Sequence, residues 1–192
     1  MEDILQLSVS LEFSKPPICR QIQVRKDTTF FELHHILQIT MGWKNSHLHE
    51  FNCDGYRIGE INEEFSMEGF GSDEVTDSKT VVINDIIQKV NEPFRYTYDF
   101  GDSWDHILHI EKSLPTDPNK KYPICIGGEK SCPPEDCGGI HGYYNNLKIL
   151  KDKKHEEYKD LRIWMGRNFD ENKFDQEAVN RKLRKLKKFI SK

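Results

Sequence analysis

Two short runs hold most of the groups that could do chemistry. Residues 96–106 read Tyr-Thr-Tyr-Asp-Phe-Gly-Asp-Ser-Trp-Asp-His and carry Asp99, Asp102, Trp104, Asp105 and His106. Residues 132–141 read Cys-Pro-Pro-Glu-Asp-Cys-Gly-Gly-Ile-His and carry Glu135, Asp136 and His141. Carboxylates brought close together raise one another's pKa, and can serve acid–base chemistry or hold a hard cation. The same residues also have structural uses. Asp102 and Ser103 suit a hairpin turn. Glu135 and Asp136 could accept N–H groups at the start of a following helix. No nucleophile accompanies the acids, which favours the structural use.

The cysteines allow a second chemistry. Cys125, Cys132, Cys137 and His141 are separated by six, four and three residues. Zinc takes such Cys/His sets in tetrahedral geometry, and zinc is the one cofactor this spacing would imply. There is no Cys-x-x-Cys knuckle, so small buried thiols in a tight loop explain the residues as well. His47 and His49 alternate on an expected strand. They offer either two metal-ligating imidazoles or two polar edge residues. Near the C-terminus, Arg181, Lys182, Arg184, Lys185, Lys187 and Lys188 could meet phosphates of a nucleic acid, or form the solvent face of an amphipathic helix.

The elements that must position these groups follow from periodicity. Leu5, Leu7, Val9, Leu11 and Phe13 alternate with polar residues, as do Ile18, Arg20, Ile22 and Val24, so residues 4–24 form a hairpin across the Ser-Lys-Pro-Pro turn. Thr29 and Glu32 have capping-box spacing ahead of a helix over 30–41, ended by Gly42. A strand over 47–51 precedes a long acidic loop over 54–79, with a short strand at 56–58. A short helix in 81–90 is capped by Asn84. Residues 94–111 form an aromatic hairpin with an acidic tip. Helices are expected at 143–150, 156–164 and 175–190. The fold class is α+β: an antiparallel or mixed sheet, with an N-terminal and a central aromatic hairpin, covered by helices.

The 192 residues suit a single domain spanning 1–192. The net charge of −4 excludes a global basic field, although residues 176–192 hold seven Lys or Arg against one Glu. No apolar run approaches the roughly 20 residues of a membrane span. The start Met-Glu-Asp-Ile lacks the basic lead of a signal peptide. Five cysteines, an odd number, fit a reduced cytoplasmic protein. Serine recombination needs a nucleophilic serine among positioned arginines, and the scattered arginines here supply no such motif.

The motif Tyr98-Asp99-Phe100-Gly101-Asp102-Ser103-Trp104-Asp105-His106 resembles the plasmid pRiA4b ORF-3-like family, also labelled as passenger proteins of IS1096-type mobile elements. The resemblance continues through Met41-Gly42-Trp43, His47-Leu48-His49-Glu50-Phe51 and Cys132-Pro133-Pro134-Glu135-Asp136-Cys137-Gly138-Gly139, to Asn180 and Leu183. It implies an α+β fold and a link to mobile elements, but no reaction. The expected function is a binding or interaction module whose site is formed by the two motif loops. A metal-dependent enzyme using the same loops and a DNA-associated accessory protein are the alternatives. Two prolines stiffen the second loop, and Gly138 and Gly139 let another backbone come close. Trp104, Tyr143 and Tyr144 could wall a pocket between the loops. The spacing also predicts a core containing Leu7, Val9, Ile22, Leu33, Leu37, Tyr98 and Leu108. Leu37→Ala should therefore cost about 2–5 kcal/mol, read from denaturant unfolding, and an unchanged midpoint would contradict this topology.

Overall fold

Alternation in the first 25 residues produces a hairpin in which β1 (Ile4–Leu11) pairs antiparallel with β2 (Cys19–Arg25), Leu7 opposite Ile22. The computed structural model describes residues 3–61, 75–87 and 92–191. The further strands are β3 (His49–Cys53), β4 (Tyr56–Gly59), β5 (Thr76–Asp77), β6 (Phe94–Tyr98), β7 (Trp104–Leu114) and β8 (Ile124–Glu129). They form one open sheet in the order β5-β4-β3-β6-β7-β1-β2-β8. Every pairing is antiparallel except the short parallel pair β4 and β5. The α+β class and both expected hairpins are therefore present. Strand β8 is an addition, since Gly127 and Gly128 interrupt its apolar pattern. The strand expected at 47–51 starts at His49, which leaves His47 in the preceding loop. Half of the expected acidic loop falls on 62–74, and the end of the 81–90 helix on 88–90, outside the described residues.

Helix α1 (Phe30–Met41) has the anticipated capping box: Glu32 N–H donates to the Thr29 hydroxyl, and Thr29 N–H to the Glu32 carboxylate. Gly42, in the left-handed region, ends it. The other helices are α2 (Ile83–Ile87), α3 (Gly139–Lys151), α4 (Tyr158–Trp164), α5 (Gln176–Leu183) and α6 (Leu186–Ile190). Asn84 sits inside α2 instead of capping it. The expected helix over 175–190 is two helices. A tight turn in which Lys185 N–H donates to the Lys182 carbonyl at 2.8 Å interrupts it. All seven residues expected in the core are fully buried.

Helix α1 is buried nearly all round, including His34 and Gln38, so its polar side chains need internal partners. They find them in a closed ring. The Gln38 amide donates to the Tyr96 hydroxyl (3.1 Å), and that hydroxyl meets His34 Nδ1 (2.8 Å). His34 Nε2 meets Asn45 Oδ1 (2.7 Å), and Asn45 N–H donates to Gln38 Oε1 (2.9 Å). An amide oxygen only accepts, so His34 carries its proton on Nε2, and Nδ1 accepts from Tyr96. The ring joins α1, β6 and the loop 42–48 in one network. His49 stacks on His34 at 3.5 Å and is itself buried.

Burial holds these imidazoles neutral. Desolvation lowers His34 well below the usual histidine value, with the His49 ring adding to the effect. Burial takes His49 down to about 3 and His106 to about 4. The unfolded chain therefore binds these protons first as pH falls. Stability is full above about pH 6.5 and drops below it, by about 1.4 kcal/mol per pH unit for each such histidine. Denaturant midpoints should fall from pH 7.5 to pH 5, and His49→Phe should flatten the slope. Equal stability across that window would show that the buried rings are not held neutral.

Candidate functional site at the junction of three loops

Three segments converge where β6 ends: the loop 42–48, the β6–β7 turn, and the loop ahead of α3. Glu135 ties the first to the last. Its carboxylate accepts from Lys44 N–H (3.1 Å) and from the Tyr98 hydroxyl (2.5 Å). Tyr98 in turn accepts from Ser46 N–H at 2.9 Å. The Trp43 indole, buried and stacked on Tyr98, donates to the Pro133 carbonyl at 3.0 Å. Asp102 joins the turn to the third loop by accepting from Gly138 N–H at 3.2 Å. Glu135 and Asp102 thus brace the junction. Glu135 accepts no helix N–H, because α3 starts from Gly138 without a side-chain cap.

The turn itself is held by Asp99, not by Asp102 as the sequence suggested. Asp99 Oδ1 accepts from Gly101 N–H (3.0 Å) and Asp102 N–H (3.3 Å). Its other oxygen lies 3.6 Å from His47 Nε2. Asp136 Oδ1 lies 3.1 Å from the same nitrogen. Asp99 and Asp136 both adopt left-handed backbone, at φ 58° and 59°. Aspartate tolerates that region better than most residues. Among the described residues, His47, Asp99 and Asp136 form the one set of three His, Cys, Asp or Glu side chains whose ligating atoms all lie within 4.8 Å of one another. His47 therefore has two carboxylates beside it that its local sequence did not show. His49 does not join it, because it turns into the core.

Other candidates lie elsewhere. Trp104 and His106 sit on the inner face of β7 and are buried, while Asp105 between them faces the opposite side. Trp104 and His106 are therefore core residues that present no group to solvent. Asp105 accepts from the Thr97 hydroxyl (2.6 Å) and pairs with Arg95, which also binds Glu12. Tyr143 is core, and the Tyr144 hydroxyl donates to the Lys15 carbonyl, so neither walls a pocket at the junction. Cys125, Cys132, Cys137 and His141 do not form a ligating set among the described residues. Cys125 Sγ donates to the Gly127 carbonyl at 3.2 Å. Exclusion of water pushes the Cys132 and Cys137 thiols up to about 12, so they stay protonated near neutrality. All five thiols are free. Buried Arg20, which no motif singled out, has Cys132, Cys125 and Cys19 around it. It donates to the Thr40, Cys19 and Glu129 carbonyls and stacks on Phe174.

The basic C-terminal residues are divided. Arg181 pairs with Glu177, Arg184 and Lys187 border one cleft beside α6, and Lys182 borders another.

An open, mostly antiparallel sheet with a three-loop junction at the β6–β7 turn defines an α+β protein with a compact polar site. The chain belongs to the family described as Plasmid pRiA4b ORF-3-like protein, which matches residues 3–178. The match ends short of Asn180 and Leu183. The chain is 32% identical over 178 residues to the uncharacterized protein y4hQ of Sinorhizobium fredii, covering 92% of this chain and 86% of that one. It is similar, with a TM-score of 0.82 and 35% identity, to the crystal structure of MM3350, a protein of unknown function from Methanosarcina mazei Go1. That likeness covers 92% of this chain and 97% of the other. Among the described residues, no helix is long and apolar enough to cross a membrane.

Gly139 makes the junction possible. A Cβ on it would stand 2.5 Å from the Asp102 carbonyl oxygen, and its φ is +64°. Gly139→Ala should therefore cost about 2–5 kcal/mol, the sum of left-handed strain and a displaced backbone. A loss below about 0.5 kcal/mol in denaturant unfolding would show that the loops part freely.

Proposed function

We propose that the protein is a binding module that captures its ligand through a divalent transition-metal ion held by His47, Asp99 and Asp136. The observation that carries this reading is the convergence of one imidazole nitrogen and two carboxylates, from three separate segments, within 4.8 Å. One nitrogen with two oxygens suits zinc or manganese, whereas calcium and magnesium favour all-oxygen shells. Asp99 gives one oxygen to its turn and keeps the other for the ion. The junction formed by Glu135 and Asp102 acts as the outer support that fixes the ligands.

Three protein ligands leave coordination positions open, which is what capture of a further molecule requires. The cleft that bears His47 and Asp99 has a volume of about 550 Å³. Leu48 and Phe100 line it and are 43% and 55% exposed, so an apolar rim stands beside the charged floor. Such a mixture fits a ligand with a metal-binding polar group and an apolar body. A second reading, metal-assisted hydrolysis, draws on Glu60 in the same cleft, a carboxylate able to take a proton from metal-bound water.

Protein freed of metal by chelation and titrated with Zn²⁺ or Mn²⁺ should bind one ion. His47→Ala and Asp136→Asn should each weaken binding by roughly 100-fold, while their melting temperatures without metal stay near that of the parent. Cys132→Ser should leave binding unchanged. No stoichiometric binding, or loss with Cys132→Ser, would overturn the site. Hydrolysis of a model ester that Glu60→Gln abolishes, with ion binding intact, would support the second reading.

A further inference from the structure

Helix α6 stands between two clefts of similar size and different lining. The cleft on one side, about 830 Å³, contains Asp27 and Glu32 among its cations. The cleft on the other side, about 840 Å³, lies between α6, the end of α1 and the loop 42–48. Lys44, Lys182, Lys185 and Lys188 line it, with no carboxylate among its described lining residues, and Lys185 and Lys188 border the first cleft as well. Among the described residues none of these four lysines forms an ion pair. Its apolar surface comes from buried Ile39 and half-buried Phe189, with the edge of Trp43.

A solvated basic helix face would be convex and would leave its lysines pointing apart. Here four lysines from α5, the α5–α6 turn, α6 and the loop after α1 border one concavity, where the charge of each raises the potential felt by the others. The unmet chemistry is negative charge, and the phosphate is the anion that several lysines bind as point charges. The apolar side of the cleft requires more than a bare anion. Its volume lies in the usual range for small-molecule sites, about 300–1,000 Å³.

We propose that this cleft binds a nucleoside polyphosphate, its phosphates on Lys182, Lys185 and Lys188 and its base against Phe189 and Ile39. Lys44 closes the phosphate end from the loop that also carries His47. The site is separate from the proposed cation site, although Asn45 borders both clefts.

Calorimetric titration of the full chain with adenosine triphosphate, in EDTA so that no divalent ion takes part, tests this. Saturable one-to-one binding is expected. Lys185→Gln and Lys188→Gln should each weaken it about tenfold, whereas Lys187→Gln, which borders the opposite cleft, should not. Phe189→Ala should weaken the nucleotide but leave inorganic triphosphate unaffected. Circular dichroism of each variant keeps folding separate from binding, and these lysines are exposed. The proposal is overturned by an absence of saturable binding, or by equal losses from Lys187→Gln and Lys185→Gln, which would show a net-charge effect. It is also overturned if a short single-stranded oligodeoxythymidine binds more tightly than the nucleotide, with a salt slope of several phosphates, which would make the face a nucleic-acid surface.

Discussion

The ring of hydrogen bonds through Tyr96, His34, Asn45 and Gln38 is the constraint on which the rest of the molecule depends. It lies where the central strand meets the buried helix, so each polar group left unpaired there would cost about 1–3 kcal/mol. Its directionality leaves little choice. The Asn45 oxygen demands a proton on His34 Nε2, which leaves Nδ1 as an acceptor and turns the Tyr96 hydroxyl toward it. A protonated His34 would present two donors and break the circuit. Neutrality of the buried imidazoles is therefore a condition of the fold and not an incidental outcome of burial.

Closing that ring orders the loop 42–48, whose neighbouring residues then serve different surroundings. Trp43 turns inward to Tyr98 and Pro133. Lys44 gives its backbone N–H to Glu135 and borders the lysine cleft. Asn45 closes the ring in left-handed backbone at φ 59°. His47 faces the two aspartates. One loop, fixed from inside by neutral hydrogen bonds, thus supplies a group to each of two solvent-facing clefts. The ring ties this loop to the buried helix and to β6, which supports the geometry of the proposed cation site.

The fold was largely legible because it rests on local periodicity. Alternation marked β1, β2, β6 and β7, and the pair Thr29 and Glu32 marked the start of α1. What periodicity could not show was the use of polar residues inside those elements. His34 and Gln38 look like ordinary helix residues until Tyr96, some sixty positions away, supplies their partner. His47 and His49 looked equivalent by alternation. The strand begins only at His49, so one ring enters the core and the other remains in a loop. Trp104 and His106 belonged to the most distinctive motif in the chain, yet period-two geometry sends both inward while Asp105 faces out. The cysteine spacing suggested a metal, but the buried guanidinium of Arg20 accounts for their neighbourhood. That residue was hidden because a single arginine in an alternating strand carries no signal.

The carboxylates show why motif density alone did not locate the site. Five acids fall in the two runs, and on four of them the fold already engages at least one oxygen. Glu135 accepts a backbone N–H and a phenol, Asp105 accepts a hydroxyl and pairs with Arg95, and Asp102 accepts the N–H that joins the loops. Asp99 divides its oxygens between the turn and His47. Asp136 receives no hydrogen bond from the backbone and is 70% exposed, with His47 as its neighbour. Chemistry requires an oxygen that the fold has not already used. Glu135 and Asp102 also keep one such oxygen each, so what singles out the proposed site is the His47 imidazole: among the described residues, Asp99, Asp136 and His47 alone bring ligating atoms within 4.8 Å of one another. Glu135 and Asp102 brace the loops that carry those three, so much of the motif's conspicuous charge serves to build the junction.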